Sequence, residues 1–517
     1  MKFTELADYP IPAGIVTEWT PCTDADSSGW VDDQRPFSND HEASLRARAN
    51  HVSDSEIQSS WLGGVFEVEG HYEPEAMRRA LRRWMLRHDA FLTTATPTEP
   101  AHTTESAHMS AHADSPVMTA SPGTTTPGFL RRTYRGEELR FTARVLGHIE
   151  EGDAISDYLT SVFDAELSPL QWPHCRVITI APRPALDATD RFLIIFAADH
   201  VALDAYSILL CVNEIHSLYL AEATGAVASI PLPGSHIDFS SADRDAASAI
   251  TAKHPAVAAW SELLGTDPPA FPDFGIPLCR PHLHDGDSGV GSRQRGYSEF
   301  IADTSSADLL ELRCREAGFS TQTAVMAALT LAHRDVTGQP IMRLAMPWHT
   351  RHHPSLLESV GWYVGLGPLS VDLRAAETMS EALAATSGAL REARSHSVVP
   401  YRRVLDLLGS TANPQFVASY LDLRGVPGAS TWPQRRVQTL RGTSGSDTEV
   451  YLWIARVPTG LTLSCRYPDS ELAAEVMARL ISSMNAILHA VCAQGMDQSL
   501  TCYLSPASTI VDTGRPA

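Results

Sequence analysis

The alternation of apolar and polar residues is most informative between Phe192 and Leu210. An uninterrupted apolar run, 192–197, has the length and composition of a fully buried β-strand. The chain becomes polar at Asp199 and His200, and apolar residues then return at helical spacing from Ile208. This pattern predicts strand, short turn and helix. A histidine at the end of a buried strand is held by a rigid element and can still reach a cavity, as a general base must.

Similar patterns predict further elements on both sides of this unit. Before it, strands are predicted at 64–68, 139–145 and 175–180, and helices at 73–88 and 155–163. In the strand at 139–145, four apolar residues alternate onto one face: Leu139, Phe141, Ala143 and Val145. After it, strands are predicted at 296–301, 341–347, 450–455 and 460–467, and helices at 307–318, 322–338 and 470–491.

Two stretches without a hydrophobic pattern divide the chain. Residues 93–128 are rich in Thr, Ala, Ser, Pro and His and have almost no large apolar residues, which predicts a flexible insertion. Residues 223–235 are rich in Gly, Ala, Pro and Ser, which predicts a linker. We therefore expect an N-terminal lobe at 1–222 and a C-terminal lobe at 236–517.

Composition and charge exclude several classes of function. Hydrophobic residues make up 44% and charged residues 20% of the 517 residues, as in a globular protein. A formal net charge of −21 argues against nucleic acid as a partner. The N-terminus has no signal-peptide pattern and no stretch approaches ~18 consecutive apolar residues, so we expect a cytoplasmic protein without a transmembrane segment. Lysine occurs only at Lys2 and Lys253, whereas Arg and Ala abound, which indicates a GC-rich, actinobacterial genome.

Other motifs in the sequence are better explained as structural features than as catalytic or binding sites. The run 286–289, Gly-Asp-Ser-Gly, has the letters of a serine-protease nucleophile but no matching His segment upstream, so a surface turn is expected. The eight cysteines are scattered and the neighbouring histidines at 349, 352 and 353 have no adjacent carboxylate or Cys, so no metal site is predicted. Arg131, Arg132 and Arg135 could hold a phosphate or a phosphopantetheine, although an exposed basic face is the simpler interpretation.

Residues 199–205 have the sequence Asp-His-Val-Ala-Leu-Asp-Ala. This segment resembles the His-His-x-x-x-Asp-Gly signature of the condensation-domain and chloramphenicol-acetyltransferase-like superfamily. Further segments follow in the family's order: a strand with Arg351, then 360–365, then a terminal hairpin and helix. The version Gly-Trp-Tyr-Val-Gly-Leu-Gly-Pro from residue 361 is closest to the polyketide-associated acyltransferases of mycobacteria. These ordered motifs cover most of the chain.

The resemblance implies an α/β fold of two chloramphenicol-acetyltransferase-like lobes. Each lobe would be a mixed sheet with flanking helices, and the two would form a V-shaped pseudo-dimer with a channel between them. A donor would enter from one face of the channel and an acceptor from the other. The residues expected to line the channel are Ala205, Gly361, Trp362, Tyr363 and Gly365.

The resemblance also implies a reaction and the residues that perform it. His200 would be the catalytic base that deprotonates an acceptor hydroxyl or amine, or would steady the tetrahedral intermediate. Asp204 would pair with Arg351 in a structural role, and Asp199 stands where the family has its first His. Ala205 replaces the usual Gly, and the family's Asp-Phe-Gly-Trp-Gly cluster is absent from the sequence.

The implied function is transfer of an acyl group from a thioester to a hydroxyl, which forms an ester in lipid, glycolipid or natural-product biosynthesis. No cofactor or metal is expected, because acyl-CoA or a phosphopantetheine-bound acyl group would be a co-substrate. The acceptor would be an alcohol, sugar or amine, and an acyl carrier protein or a polyketide synthase is a further expected partner. Two alternatives stay open: amide formation on a carrier-bound amine, and a non-catalytic docking scaffold.

Overall fold

Two large β-sheets and the helices that cover them organise the chain. The computed structural model describes residues 2–23, 29–50, 59–98, 128–183, 190–265, 269–279 and 293–502. In chain order the strands are β1 (Phe3–Glu5), β2 (Gly14–Cys22), β3 (Trp30–Asp33), β4 (Trp61–Glu69), β5 (Thr93–Pro97), β6 (Phe129–Tyr134), β7 (Arg140–Ile149), β8 (Cys175–Ala181), β9 (Arg191–Asp199), β10 (Gln294–Asp303), β11 (Ile341–His349), β12 (Val364–Asp372), β13 (Phe416–Asp422), β14 (Gln438–Arg441), β15 (Val450–Val457) and β16 (Gly460–Pro468). The helices are α1 (Asn39–Asn50), α2 (Pro74–Arg87), α3 (Gly152–Glu166), α4 (Ala205–Thr224), α5 (His236–Ser248), α6 (Pro255–Leu264), α7 (Thr304–Glu316), α8 (Thr321–Thr337), α9 (Met379–His396), α10 (Tyr401–Leu408) and α11 (Glu471–Gln494).

The first sheet forms the core of the N-terminal lobe. Its strand order is β1-β14-β4-β9-β8-β2-β7, with β1 parallel to β14 and the other neighbours antiparallel. The central strand β9 is buried on both faces, as its apolar run predicts. Helices α2 and α4 contribute apolar side chains to the layer on one face, and α3 contributes to the layer on the other.

The second sheet forms the core of the C-terminal lobe. Its strand order is β10-β16-β15-β13-β11-β12, and β13 runs parallel to both β15 and β11. Residues of α7, α8, α9 and α11 pack in the larger apolar cluster, while α6 and α10 pack with β11 and β13 in a separate one. The prediction of two α/β lobes, each a mixed sheet with flanking helices, is confirmed.

Strand β14 corrects the predicted division of the chain into lobes at 223–235. It follows β13 of the C-terminal lobe, yet it inserts between β1 and β4 in the N-terminal sheet. The segment that leads to it buries Leu423, Val426 and Trp432 in the N-terminal core. Residues 226–235 contain no helix or strand. The range 236–517 is therefore not a self-contained lobe, because strand pairing follows available sheet edges and not chain order.

A small sheet corrects the start of the predicted insertion at 93–128. Residues Thr93–Pro97 form β5, which pairs antiparallel with β6 in the order β3-β6-β5. Thr93 and Ala95 are buried there, although neither is a large apolar residue. Residues 99–127 of the predicted insertion lie outside the described part of the chain.

Strand β7 is present as predicted, and only half of its apolar face is buried. Leu139 and Phe141 are buried beside α2, whereas Ala143 and Val145 are exposed, Val145 to 64%. The reason is that β7 is the edge strand of the seven-stranded sheet, and its later residues extend beyond the covering helix.

Within the described residues, α11 is long and apolar enough to cross a membrane by length and composition. Of its most apolar 18-residue window, 44% is buried inside the fold, where Leu480, Met484 and Ile487 pack in the C-terminal core. A core helix meets the same criterion, so this finding has little weight as a sign of a membrane span.

Candidate active site

The end of β9 carries the predicted site. After Asp199 the chain makes one turn of 3-10 helix, His200–Ala202, and α4 begins at Ala205. Asp204 is the N-cap of α4, because its Oδ1 accepts a hydrogen bond of 2.8 Å from Ser207 N. Ala205 is the first residue of the helix and is half-buried, so the site does not place it in the left-handed conformation that would require Gly.

His200 is half-buried and is fixed mainly through its backbone. Its N–H donates at 2.9 Å to the carbonyl oxygen of Ser60, the residue before β4. The imidazole lies against the indole of Trp362, with ring centroids 4.5 Å apart and planes tilted by 34°. Its Nδ1 is buried and has no hydrogen-bond partner. The ring is thus held at the contact of the two lobes, because Trp362 belongs to the loop between β11 and β12.

Asp199 holds the turn that presents His200. Its Oδ1 accepts from Val201 N at 3.0 Å and its Oδ2 accepts from Ser60 Oγ at 2.5 Å. Burial raises the pKa of Asp199, although these hydrogen bonds and the nearby His174 and His200 oppose the shift. Neither carboxylate oxygen has a hydrogen bond to the imidazole of His200.

Asp204 and Arg351 form a buried ion pair between the lobes, the contact that the family resemblance implies. Arg351 Nη1 donates to Asp204 Oδ2 at 2.8 Å and Nη2 to Oδ1 at 3.1 Å, and each side chain is only 2% exposed. Burial alone would raise the pKa of Asp204, but the Arg351 guanidinium outweighs it and holds that pKa below its ordinary value of 3.8. With both oxygens engaged, this carboxylate supports the turn and is not available to accept a proton.

The turn that carries Trp362 is held by side chains from outside the C-terminal sheet. Gly361 N donates to Ser207 Oγ at 3.1 Å, Trp362 N to His236 Nε2 at 3.2 Å, and Tyr363 N to Asp204 Oδ2 at 3.0 Å. Three successive amides are therefore fixed by groups on α4 and α5. A Cβ on Gly361 would lie 2.2 Å from the His236 ring, so only Gly fits this approach.

The predicted channel-lining residues do not share one surface. Trp362 is half-buried and lies beside His200, whereas Tyr363 is fully buried, with the Arg351 guanidinium 4.3 Å from its ring centroid. Gly361 and Gly365 are buried too, and a Cβ on Gly365 would lie 2.3 Å from Ser397 O. Tyr363 and both glycines are thus packing positions, which corrects their prediction as lining residues. Among the predicted residues of this turn, Trp362 has a described ring contact with His200.

Sequence reasoning missed three residues of this site: Ser60, Ser207 and His236. Ser207 Oγ accepts from Arg351 Nη2 at 2.7 Å and donates to Gly361 O at 2.9 Å. A serine at the third position of a helix with an Asp cap gives no sign of such long-range contacts. Ser60 and His236 carry no local motif either, because their partners are more than one hundred residues away in the chain.

The other candidate residues and motifs from the sequence are not part of this site. His88 is buried and its Nε2 contacts Glu214 Oε2 at 2.8 Å, a structural contact within the N-terminal lobe. Arg131 is buried over the Phe37 ring, while Arg132 and Arg135 are exposed, so the three arginines do not form one anion site. Among residues the structure describes, no three His, Cys, Asp or Glu side chains are grouped to hold a metal ion. The run 286–289 lies outside the described residues.

The chain is similar to a known protein family and to named acyltransferases. A protein-family profile described as "Condensation domain" matches residues 185–508. "Acyltransferase PapA3" of Mycobacterium tuberculosis is 24% identical over 507 residues, covering 95% of this chain and 99% of that protein. "Trehalose-2-sulfate acyltransferase PapA2" of the same species is 24% identical over 326 residues, covering 62% and 67%.

Solved structures show the same fold. The structure titled "PapA2 acyl transferase" superposes with a TM-score of 0.77 at 20% identity and covers 95% of this chain and 100% of that one. The condensation domain of the Monacolin K polyketide synthase MokA has a TM-score of 0.66 at 16% identity, over 90% and 98% of the two chains.

Proposed function

This chain belongs to the condensation-domain family, and from that membership we propose that it is an acyltransferase that moves an acyl group from a thioester to an acceptor hydroxyl. His200 is the general base of this reaction, and the product is an ester. Relatives named as acyltransferases support acyl transfer, and the name of one of them, a trehalose-2-sulfate acyltransferase, supports a sugar hydroxyl as acceptor.

The observation that carries the proposal is the isolation of the His200 imidazole. It projects from the rigid end of β9, is half-buried at the lobe contact, and has no internal hydrogen bond at Nδ1. The two neighbouring acids are occupied, Asp204 by Arg351 and Asp199 by Ser60 and Val201. The imidazole is therefore the group of this turn that we propose as the proton acceptor.

One base is sufficient for this chemistry. The acceptor O–H proton moves to a ring nitrogen of His200 while the oxygen attacks the thioester carbonyl carbon. The tetrahedral intermediate then collapses, the C–S bond breaks, and the leaving thiolate takes the proton back from His200. A thioester is already activated, so holding two substrates in line and supplying a base replace a covalent nucleophile.

The test is thioester consumption with a panel of acyl-CoAs against sugars, simple alcohols and amines. We expect His200→Ala to lower kcat by about 10²–10⁴-fold, the usual contribution of a general base. His489→Ala is the matched control, because His489 is exposed on α11. Calorimetry of each variant separates loss of the base from loss of the fold.

Several outcomes would contradict the proposal. Equal turnover by wild type and His200→Ala would assign the chemistry to another residue. Products formed only with amines would favour amide formation. If the wild type consumes neither acyl-CoA nor an acyl group carried on phosphopantetheine, a non-catalytic scaffold would replace the enzyme.

A further inference from the structure

We propose that Trp362 stabilises the positive charge that His200 acquires during the reaction, by presenting the π face of its indole to the imidazolium. This inference rests on the proposed function, in which His200 takes a proton from the acceptor. Trp362 acts through His200 and is therefore a positioning residue for the base.

The geometry of the two rings fits a cation–π contact. Their centroids are 4.5 Å apart and their planes are tilted by 34°, so the imidazole lies over the indole and not at its edge. A cation within about 6 Å of an aromatic centroid is attracted by the ring quadrupole, and Trp gives the strongest attraction. The contact is neutral before proton transfer and becomes charge-assisted once His200 is protonated.

His200 has no carboxylate hydrogen bond that would serve instead. In Ser-His-Asp sites an acid bonded to Nδ1 stabilises the imidazolium. Here Nδ1 is buried without a partner, and both oxygens of Asp199 are engaged by Val201 N and Ser60 Oγ. The indole face is thus the aromatic surface in contact with the ring that becomes charged.

The charged and titratable groups near His200 leave the stabilisation of its positive charge to Trp362. Asp199, the last residue of β9, interacts electrostatically with His200. His174 also interacts electrostatically with Asp199. Asp204 on α4 is neutralised by Arg351 in the buried pair. Behind the indole, His236 on α5 accepts from Trp362 N, and burial lowers the pKa of His236 to about 4, so it is uncharged near neutral pH.

The backbone that carries the indole is fixed before any substrate binds. The amides of Gly361, Trp362 and Tyr363 donate to side chains of α4, its N-cap Asp204 and α5, so the turn cannot relax without breaking these bonds. Preorganised groups aimed at developing charge need no reorganisation during the reaction. Because the imidazolium exists only after proton transfer, this contact lowers the barrier more than it strengthens substrate binding.

The decisive experiment measures electron density in the indole and not its size. Biosynthetic incorporation of mono-, di- and trifluorotryptophan weakens the π face with little change of shape, but it replaces all ten tryptophans. The same series in a Trp362→Phe background is therefore the control. We expect kcat to fall stepwise with fluorine number in the wild type, by about 2- to 30-fold over the range of a cation–π contact, and to stay flat in the control.

A second readout does not depend on catalysis. The pKa of His200 is followed by NMR titration of labelled histidine, with the signal assigned by His200→Gln. We expect this pKa to fall in Trp362→Leu and with fluorination, so the acid limb of the pH–rate profile moves to lower pH. An unchanged pKa together with a flat fluorine series would overturn the inference. If the His200 pKa falls as expected but the wild type transfers no acyl group, the cation–π contact would be supported and the proposed function would be refuted.

Discussion

Removal of one partner of the Asp204–Arg351 pair tests how the site is held together. Asp204→Asn keeps the side-chain shape but leaves the Arg351 guanidinium buried beside a neutral amide. Arg351→Met leaves the Asp204 carboxylate buried without a cation. Each side chain is only 2% exposed, so water cannot replace the missing partner. Breaking a buried pair in this way costs about 3–5 kcal/mol.

The free-energy cost of breaking the pair can be converted to a change in melting temperature. The unfolding entropy of a protein is about 2.1 cal/mol/K per residue, so the unfolding entropy of the full chain is about 1.1 kcal/mol/K. Each single variant should therefore lower Tm by about 3–5 °C in scanning calorimetry at pH 7. The double variant Asp204→Asn/Arg351→Met removes both charges and should lose less than the two singles together, with a coupling energy of about 2 kcal/mol.

The pH dependence follows from the sign of the pKa shift. The folded pKa of Asp204 lies below its unfolded value of about 3.9, so the ionised carboxylate contributes its full stability above that value. As the pH falls through the folded pKa, that contribution is lost. The Tm difference between wild type and Asp204→Asn should be constant from pH 8 to 5 and should narrow below pH 4. Additive single variants, or a Tm difference independent of pH down to 3, would refute the structural role.

Three further predictions concern other residues of the fold. Burial and the nearby Asp243 raise the pKa of Asp40 to about 7, above its unfolded value of about 3.9, so stability is lost as the pH rises from about 4 to 7 and the loss is complete above 7; Asp40→Asn should therefore raise Tm at pH 8, and the gain should shrink as the pH falls toward 4. Gly361→Ala should cost about 1–3 kcal/mol of stability through its clash with the His236 ring, and less in a His236→Ala background, a rescue that an unrelated defect would not show in calorimetry. His88→Leu should lower Tm because it leaves Glu214 without its ring partner, while kcat of the folded enzyme stays unchanged; a selective loss of kcat would contradict its structural assignment.

Local pattern predicted the elements that present the base. The apolar run before Asp199 and the helical spacing after Ile208 gave β9 and α4, because both are buried along their length. The family resemblance, drawn from ordered motifs, is confirmed by the profile match over 185–508. The catalytic role of His200 stays a prediction that the enzymatic test decides.

Long-range contacts could not be predicted in the same way. The four residues of β14 carry no distinctive pattern, and only an open edge between β1 and β4 determines where they pair. The same holds for His236, whose ring meets the amide of Trp362 across 126 positions of the chain. Such contacts depend on the assembled tertiary structure, in which any polar side chain of suitable length could serve.

The insertion of β14 also constrains how the protein is made. The N-terminal sheet has nearly all its strands once residue 224 has left the ribosome, but β4 stays an unpaired edge until residue 441 follows. At about 5–20 residues per second, that edge is exposed for roughly 10–40 s on each nascent chain. An open central strand is a template for pairing with other chains. Synonymous codons that slow translation of the segment between α4 and β14 should therefore lower the yield of active protein, although the amino-acid sequence is unchanged.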